Sequence, residues 1–458
     1  MTVFQKILAI WKEDNLLRRV VRNSSYLFGS NAFSSVLIFV QTILAVRLIG
    51  VTSWGLIATI VTFASNINRL LSFRMSEVVV KHLGPALVEQ KKQEAAAVVK
   101  AAGLTEVSTS VVAFIILALL TPWASRVFAK DVHTAPWFIF YGLILLSNLV
   151  YETSAGVLQA THRFDCLAHI NLVQSVITAS AISGTFLLSL WASKIIAPYL
   201  IQDILLAYVL GKTYVGISVV ISAVRELNHA LESGWWRTPL SVLPAKRAAA
   251  IFALNTNLNG TVNLIFRDNI PLYVAALLST TEVGYFKIAM TFILPLTLIL
   301  DPFIVPTYTE IARTIATSQW DITLRLLRRI TAITSGVVLA MWGLWALTGW
   351  WLIPTIYTAQ ARPAYPILLI LLFGYGFASI FQWNRSLLLS LGKSGYPILV
   401  STLTGVVELG LIFYLVPHYG YLMMAAILSG YFVISIGFIT LRGLQEVRQR
   451  RLAPNGKP

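Results

Sequence analysis

The chain has 458 residues, 57% of them hydrophobic and only 12% charged, with a mean hydropathy of +0.75 and a formal net charge of +16. Soluble domains carry about 25% charged residues, so an ordinary cytosolic enzyme is excluded, and so is a disordered chain. With Cys166 as its single cysteine the chain cannot be a disulfide-stapled secreted scaffold. Apolar residues recur in stretches of about 20, the length that crosses a hydrocarbon core of roughly 30 Å. Only helices satisfy every backbone group in lipid without closing a barrel, so the chain reads as an all-α polytopic membrane protein.

Residues 1–25 precede the first span. Phe4, Ile7, Leu8 and Trp11 sit at helical spacing among Lys6 and Lys12, which suits a short amphipathic helix lying on a membrane surface; a plain basic tail is the alternative. Lys6, Lys12, Glu13 and Asp14 interrupt any apolar core, so no cleavable signal peptide is expected. Twelve spans follow. The first six cover 26–49, 55–82, 102–121, 137–160, 169–191 and 198–223. The second six cover 249–278, 284–312, 330–354, 364–391, 397–416 and 419–441. The expected domains are a six-helix bundle over 26–224, a linker at 225–248 containing Trp235, Trp236, Pro239 and Pro244, a second six-helix bundle over 249–441, and a basic tail at 442–458.

Lysines and arginines crowd into alternate connections. One side holds the N-terminal segment, the stretches 81–100, 225–247 and 313–329, Arg163, Lys393 and the tail; the other holds Arg47, Arg126, Lys130, Lys194 and Arg362. The positive-inside rule then puts both termini in the cytoplasm and the chain in a cytoplasmic (inner) membrane. It also accounts for the basic pI of 9.9 without a nucleic-acid partner.

Two junctions repeat. Leu48-Ile-Gly-Val-Thr-Ser-Trp-Gly55 reappears as Leu277-Leu-Ser-Thr-Thr-Glu-Val-Gly284, and Leu158-Gln-Ala-Thr-His-Arg163 as Leu389-Ser-Leu-Gly-Lys-Ser394. Nearly equal offsets argue for two halves of six spans each. An even number of spans per repeat keeps both halves in one orientation, related by an axis along the membrane normal, with a binding site expected at their interface.

Polar residues mark the helices that meet protein or water rather than lipid. In the seventh span Asn255, Asn259, Asn263 and Arg267 recur every fourth residue on one face. The matching face of the first span offers Ser30 and Ser34, with Asn31 beside them. The second span carries Ser65, Arg69, Ser72 and Ser76, the fourth Asn148, Glu152 and Gln159, and the tenth Gln382, Ser386 and Ser390 beside Arg385. Such rows either line a cavity or join helices through hydrogen bonds. Spans 3, 5, 9 and 12 read as blander and lipid-facing. Arg267 adjoins Asp268, which regular helix geometry turns about 100° away, so mutual neutralisation is not expected. Lys212, well inside the sixth span, has no evident partner. Glu152, Asp301 and Glu408 are candidate proton or cation sites, with helix pairing as the alternative.

Other chemistry is missing from the sequence. There is no Walker A motif, no serine in a nucleophile elbow and no cysteine or histidine cluster with metal spacing. No enzyme activity, cofactor or metal is expected.

The segments Tyr26-Leu-Phe-Gly-Ser-Asn31 and Leu44 to Gly55, with Ile270-Pro-Leu-Tyr-Val-Ala-Ala-Leu-Leu-Ser-Thr-Thr-Glu-Val-Gly-Tyr285, resemble bacterial polysaccharide-export proteins. These are the O-antigen and lipid-linked oligosaccharide flippases of the multidrug/oligosaccharidyl-lipid/polysaccharide flippase superfamily. The resemblance runs over nearly the whole chain, in hydrophobic pattern and loop punctuation. It implies a MATE-like fold and alternating access that moves a polyprenyl-diphosphate-linked glycan to the outer leaflet for cell-surface polysaccharide biosynthesis. The peptidoglycan-precursor branch usually has fourteen spans, against the twelve read here. Partners implied are the lipid-linked glycan, the bilayer and polysaccharide polymerase machinery.

Arginine suits such a headgroup, since its planar fork binds phosphate oxygens bidentately. Arg267, Arg69 and Arg385 are accordingly the expected diphosphate ligands, and Asn255, Asn259, Asn263, Asn31 and Ser65 the expected sugar path. A cation-coupled drug exporter of the same fold is the competing reading and favours acidic, aromatic cavities. A membrane scaffold for a synthase complex is a third and predicts no dependence on interior charges.

Overall fold

The computed structural model describes residues 15–452 apart from 73, 193–195, 232, 244–250, 252, 255–256, 258–260 and 262–263; for 15–28 and 305 it describes the backbone alone. Among the described residues the chain is helical and contains no strand. Among the described residues nine helical segments are long and apolar enough to cross a membrane. Two of these are double. Helix α1 (Asn15–Leu71) turns at Gly50 (φ 79°). The last helix, α15 (Gly395–Leu452), has 58 residues and turns at Gly420 (φ 72°). A straight 58-residue helix would measure about 87 Å, nearly three membrane cores. Glycine at positive φ lets each fold back as two spans.

Between them run α2 (Met75–Val88), α3 (Lys92–Val127), α4 (Ala135–Gly142), α5 (Ile144–Ser147), α6 (Tyr151–Ala160), α7 (Phe164–Trp191) and α8 (Leu200–Leu231). After the π-helical turn Leu264–Asp268 come α9 (Ile270–Leu277), α10 (Thr280–Leu300), α11 (Ile304–Ala316), α12 (Trp320–Ile356), α13 (Ala364–Ile380) and α14 (Asn384–Ser390). The chain packs as two compact units. The first takes residues 1–48, 60–126 and 131–261, and the second 49–59, 127–130 and 262–458.

The two units use the same turns. Thr161, His162 and Arg163 donate backbone N–H groups to Val157, Gln159 and Leu158; Leu391, Gly392 and Lys393 donate likewise to Leu387, Leu389 and Leu388. Each set is a Schellman closure around a left-handed residue, His162 (φ 59°) in one unit and Gly392 (φ 78°) in the other. The pattern recurs where Glu89, Gln90 and Lys91 bond Pro85, Leu87 and Ala86, and where Thr317, Ser318 and Gln319 bond Arg313, Ile315 and Thr314. Gln90 and Ser318 are again left-handed.

An ion latch follows the first of these turns in both units. Arg163 bonds Glu226 at the far end of α8. Lys393 bonds Glu446 at 2.5 Å, and Arg442 adds a contact of 2.6 Å to the same carboxylate. Beside the latches lie cores of small and branched side chains: Val79, Leu83, Val157 and Leu158 in the first unit, Ile311, Leu387, Leu388 and Val447 in the second. In a membrane such contacts hold helices together through close packing rather than through expulsion of water.

The tip of the first hairpin belongs to the second unit and meets its own repeat counterpart there. Thr52 and Thr281 share a hydrogen bond of 2.8 Å between their hydroxyls. A Cβ added at Gly55 would stand 1.7 Å from the Thr280 carbonyl oxygen, and one at Gly284 would stand 2.4 Å from that of Val51. Only glycine permits that approach.

Candidate functional site

The fourth span is broken. Residues 148–150 separate α5 from α6, with Val150 at φ −135°, ψ 28°, so the first N–H groups of α6 lack partners within the helix. Glu106, 4% exposed in α3, supplies them. Its Oε1 accepts the backbone N–H of Glu152 at 2.7 Å and its Oε2 that of Thr153 at 2.8 Å. A carboxylate at a helix N-terminus also meets the positive end of the helix dipole. Glu152 in turn accepts a hydrogen bond from the Ser76 hydroxyl at 2.5 Å.

These groups wall a polar cavity of about 220 Å³ inside the first unit. Ser65, Asn68, Arg69 and Ser72 of α1 line it, facing Glu106 and Ser110 of α3, Asn148 and Glu152 of the broken span, Asn171 and Gln174 of α7, and Lys212 of α8, while Tyr141, Ile144, Leu145, Tyr151 and Val215 supply the apolar part of the wall. A neighbouring cavity of about 270 Å³ shares Asn68, Arg69, Ser72 and Glu152, and continues to Ser76, Arg74 and Glu77. Arg74 and Glu77 pair at 3.1 Å with both side chains exposed, a bond that contributes little. Of the second-span stripe, Ser65, Arg69, Ser72 and Ser76 all reach these cavities.

The second unit holds a different cluster. Arg267 lies on the π-turn, about half exposed, with its Nε 3.6 Å from Asp268 Oδ1. The regular-helix expectation for this pair is therefore corrected: the widened turn brings the two charges together. Gly405 of α15 lies close enough that an added Cβ would press on the Phe266 ring at 2.3 Å, so the π-turn packs flush on that helix. Glu408, one turn further along, is 3% exposed, and neither carboxylate oxygen has a hydrogen-bond partner among the described residues. Tyr273, Tyr375 and Tyr431 stand within electrostatic reach of it. The Tyr273 hydroxyl donates to the Ile265 carbonyl at 3.0 Å.

The remaining expected residues are scattered. Arg385 is exposed at the start of α14, Asp301 is exposed at the end of α10, and Asn31 is exposed on α1. Asn255, Asn259 and Asn263 lie outside the described residues, although Asn257 donates from its Nδ2 to the Leu70 carbonyl at 3.0 Å within the first unit. The sequence reading missed three groups. Glu106 stands alone on an apolar stretch, and Asn171 and Gln174 belong to a fifth span read as lipid-facing. Their spacing of three residues was the available signal. No cluster of metal-ligating side chains occurs among the described residues.

No family model matches the chain. A curated relative, the inner membrane protein YghQ of Escherichia coli (strain K12), is 25% identical over 158 residues, which is 34% of this chain and 44% of that protein. The match therefore spans less than half of that relative's length. Among solved structures, an inward-facing multidrug resistance MATE family transporter of the MOP superfamily superposes with a TM-score of 0.65 at 12% identity, over 91% of this chain and 95% of the other. Lipid II flippase MurJ in an inward closed conformation gives 0.66 at 14% identity, over 93% and 90%. The fold is MATE-like: an all-α multi-pass membrane protein of two pseudo-symmetric six-helix bundles.

Proposed function

We propose that the chain is a flippase that moves a polyprenyl-diphosphate-linked oligosaccharide across the cytoplasmic membrane by alternating access, both termini being cytoplasmic. The supporting observation is the polar cavity of the first unit. Its carboxylates, Glu106 and Glu152, are already engaged by protein donors, while Arg69 lies among amide and hydroxyl groups suited to sugars. The Arg69 guanidinium beside those amides and hydroxyls supports a site for an anionic, hydroxyl-rich guest. Arg69 holds the diphosphate in this reading; Arg267 and Arg385 are further candidate ligands of the second unit, argued from the sequence alone. Ser65 offers its hydroxyl to the sugar from the cavity wall, and Asn31, Asn255, Asn259 and Asn263 are sugar-path candidates from the sequence pattern alone. The prenyl chain stays in lipid, no covalent step is required, and polymerase machinery takes the delivered glycan.

The second unit supports one competing reading, a cation-coupled exporter. Glu408 is a buried carboxyl with Tyr273, Tyr375 and Tyr431 within electrostatic reach, a setting that suits a group taking up a proton or cation. Asp301 is exposed and Glu152 already bonded, so Glu408 is the coupling group that we favour among the three.

Reconstitution into liposomes with a fluorescent polyprenyl-diphosphate oligosaccharide, read by its access to an outside reagent, tests the assignment. Wild-type flipping should fall at least about tenfold in Arg69→Ala and in Arg267→Ala, with both variants monodisperse. Undiminished flipping in either sinks that residue's role. Absent flipping combined with proton- or sodium-driven efflux of a cationic dye establishes the exporter instead.

A further inference from the structure

The deepest cation of the first-unit cavity belongs to no stripe and has no role in the reading above. Lys212 is the thirteenth residue of the 32-residue α8, about 18 Å along its axis and so well inside the membrane. It lines the 220 Å³ cavity, is open to it rather than packed, and makes no hydrogen bond or ion pair among the described residues.

Its helix cannot turn away. One residue earlier, Gly211 lies so close to α7 that an added Cβ would stand 2.3 Å from Thr178 Oγ1 and 3.4 Å from the Gln174 side chain. One turn later, a Cβ at Gly216 would stand 2.1 Å from the Ser147 carbonyl oxygen, at the break of the fourth span. Two close approaches thus pin α8 with its ammonium facing the cavity. The two acids of the cavity bond elsewhere and make no ion pair with it: both oxygens of Glu106 accept backbone N–H groups, and Oε2 of Glu152 accepts from Ser76. Around the ammonium, Asn171 and Gln174 make no side-chain hydrogen bond among the described residues. Asn148 donates its Nδ2 to the Ile144 carbonyl and sets its Oδ1 against Gly216 of α8, so it is held in place beside the two free amides. An unpaired intramembrane ammonium beside idle amides is a receptor for an oxyanion.

We propose that Lys212, with Asn171 and Gln174, forms an anion subsite distinct from Arg69, taking a phosphate or carboxylate group of the substrate into the middle of the first unit. The proposal rests on reading that cavity as the glycan-carrier site and adds a second point of charge recognition. The oxyanion comes either from the carrier's diphosphate or from an acidic sugar.

The test is a binding measurement on the full chain in nanodiscs, independent of transport. Inorganic pyrophosphate represents the headgroup, and glucuronate represents an acidic sugar. Acetylation of Lys212 is followed by peptide mass spectrometry while each anion is titrated. Saturable protection by pyrophosphate assigns the subsite to the headgroup, and protection by glucuronate alone assigns it to the glycan. Affinity is read separately by isothermal titration calorimetry: Lys212→Met should weaken binding of the protecting anion about tenfold or more, as expected for loss of one charge-assisted contact, and Lys212→Arg should restore most of it. No protection by either anion in the wild-type protein overturns the proposal, and this labelling arm needs no variant to fold. Protection with unchanged affinity in a monodisperse Lys212→Met protein overturns it equally. Loss of flipping with intact anion protection would instead count against the flippase reading alone.

Discussion

The fourth and tenth spans break at corresponding places, yet the two breaks are closed by different chemistry. In the first unit a buried carboxylate, Glu106, reaches across to two backbone N–H groups of the broken helix. In the second, neutral groups do the work: the Trp383 indole donates to the Thr331 hydroxyl at 2.9 Å and the Asn384 amide to the Phe381 carbonyl at 2.7 Å. One backbone plan therefore serves two purposes. The first unit uses its buried acid on structure and sets Arg69 and Lys212 in the cavity wall. The second settles its break without charge and keeps a buried acid, Glu408, that has no hydrogen-bond partner among the described residues.

The sharpest way to break this contrast is to exchange the closures. Glu106→Ala should lower stability by about 3 kcal/mol, because two buried N–H groups at a helix end lose their acceptor. Thr331→Ala should cost only about 1 kcal/mol, the ordinary value of a neutral hydrogen bond. Thermal melting of the purified variants reads both, and equal losses would mean that Glu106 is not the structural acid. Glu408→Leu should do the opposite of Glu106→Ala, leaving melting unchanged or raised by about 1 kcal/mol. It removes an unpartnered buried carboxyl, and it should abolish any dependence of transport on a proton or sodium gradient. A smaller effect is expected at the latches. Glu446→Gln should cost about 1 kcal/mol, since its partners Lys393 and Arg442 are partly solvated. Smallest is the turn. His162→Gly should stabilise by up to about 1 kcal/mol by relieving a left-handed non-glycine residue, while Gly392→His costs a similar amount. Shifts of the same sign in both would show that the turns are not equivalent.

Much of the architecture was legible because its causes are local. Apolar stretches follow from the thickness of a bilayer. The repeated junctions hold glycines and threonines whose backbone approach shows directly in the contacts of Gly55 and Gly284. The stripe from Ser65 to Ser76 was readable for the same reason, since one helix carries all of it. The breaks were not legible. Neither Asn148-Leu-Val150 nor Phe381-Gln-Trp383 contains a proline or glycine, and the first break is held by a residue 42 positions upstream of its start. Glu106 looked isolated because its partners are backbone N–H groups, which leave no mark on a sequence pattern. The polar wall from the fifth span was missed for a related reason: two amides three residues apart are too few to define a face until α8 packs against them.

The hairpin tip carries a consequence for ancestry. Thr52 bonds Thr281, and Gly55 and Gly284 crowd each other's neighbourhoods, so these positions touch their own duplicates. Had the two halves once been separate copies of one six-helix chain, a single substitution there would have entered both sides of the contact at once. A side chain enlarged by one methyl would have demanded twice the room, and a lost hydroxyl would have removed both donor and acceptor. Positions of that kind diverge last after duplication, because neither copy can change without the other.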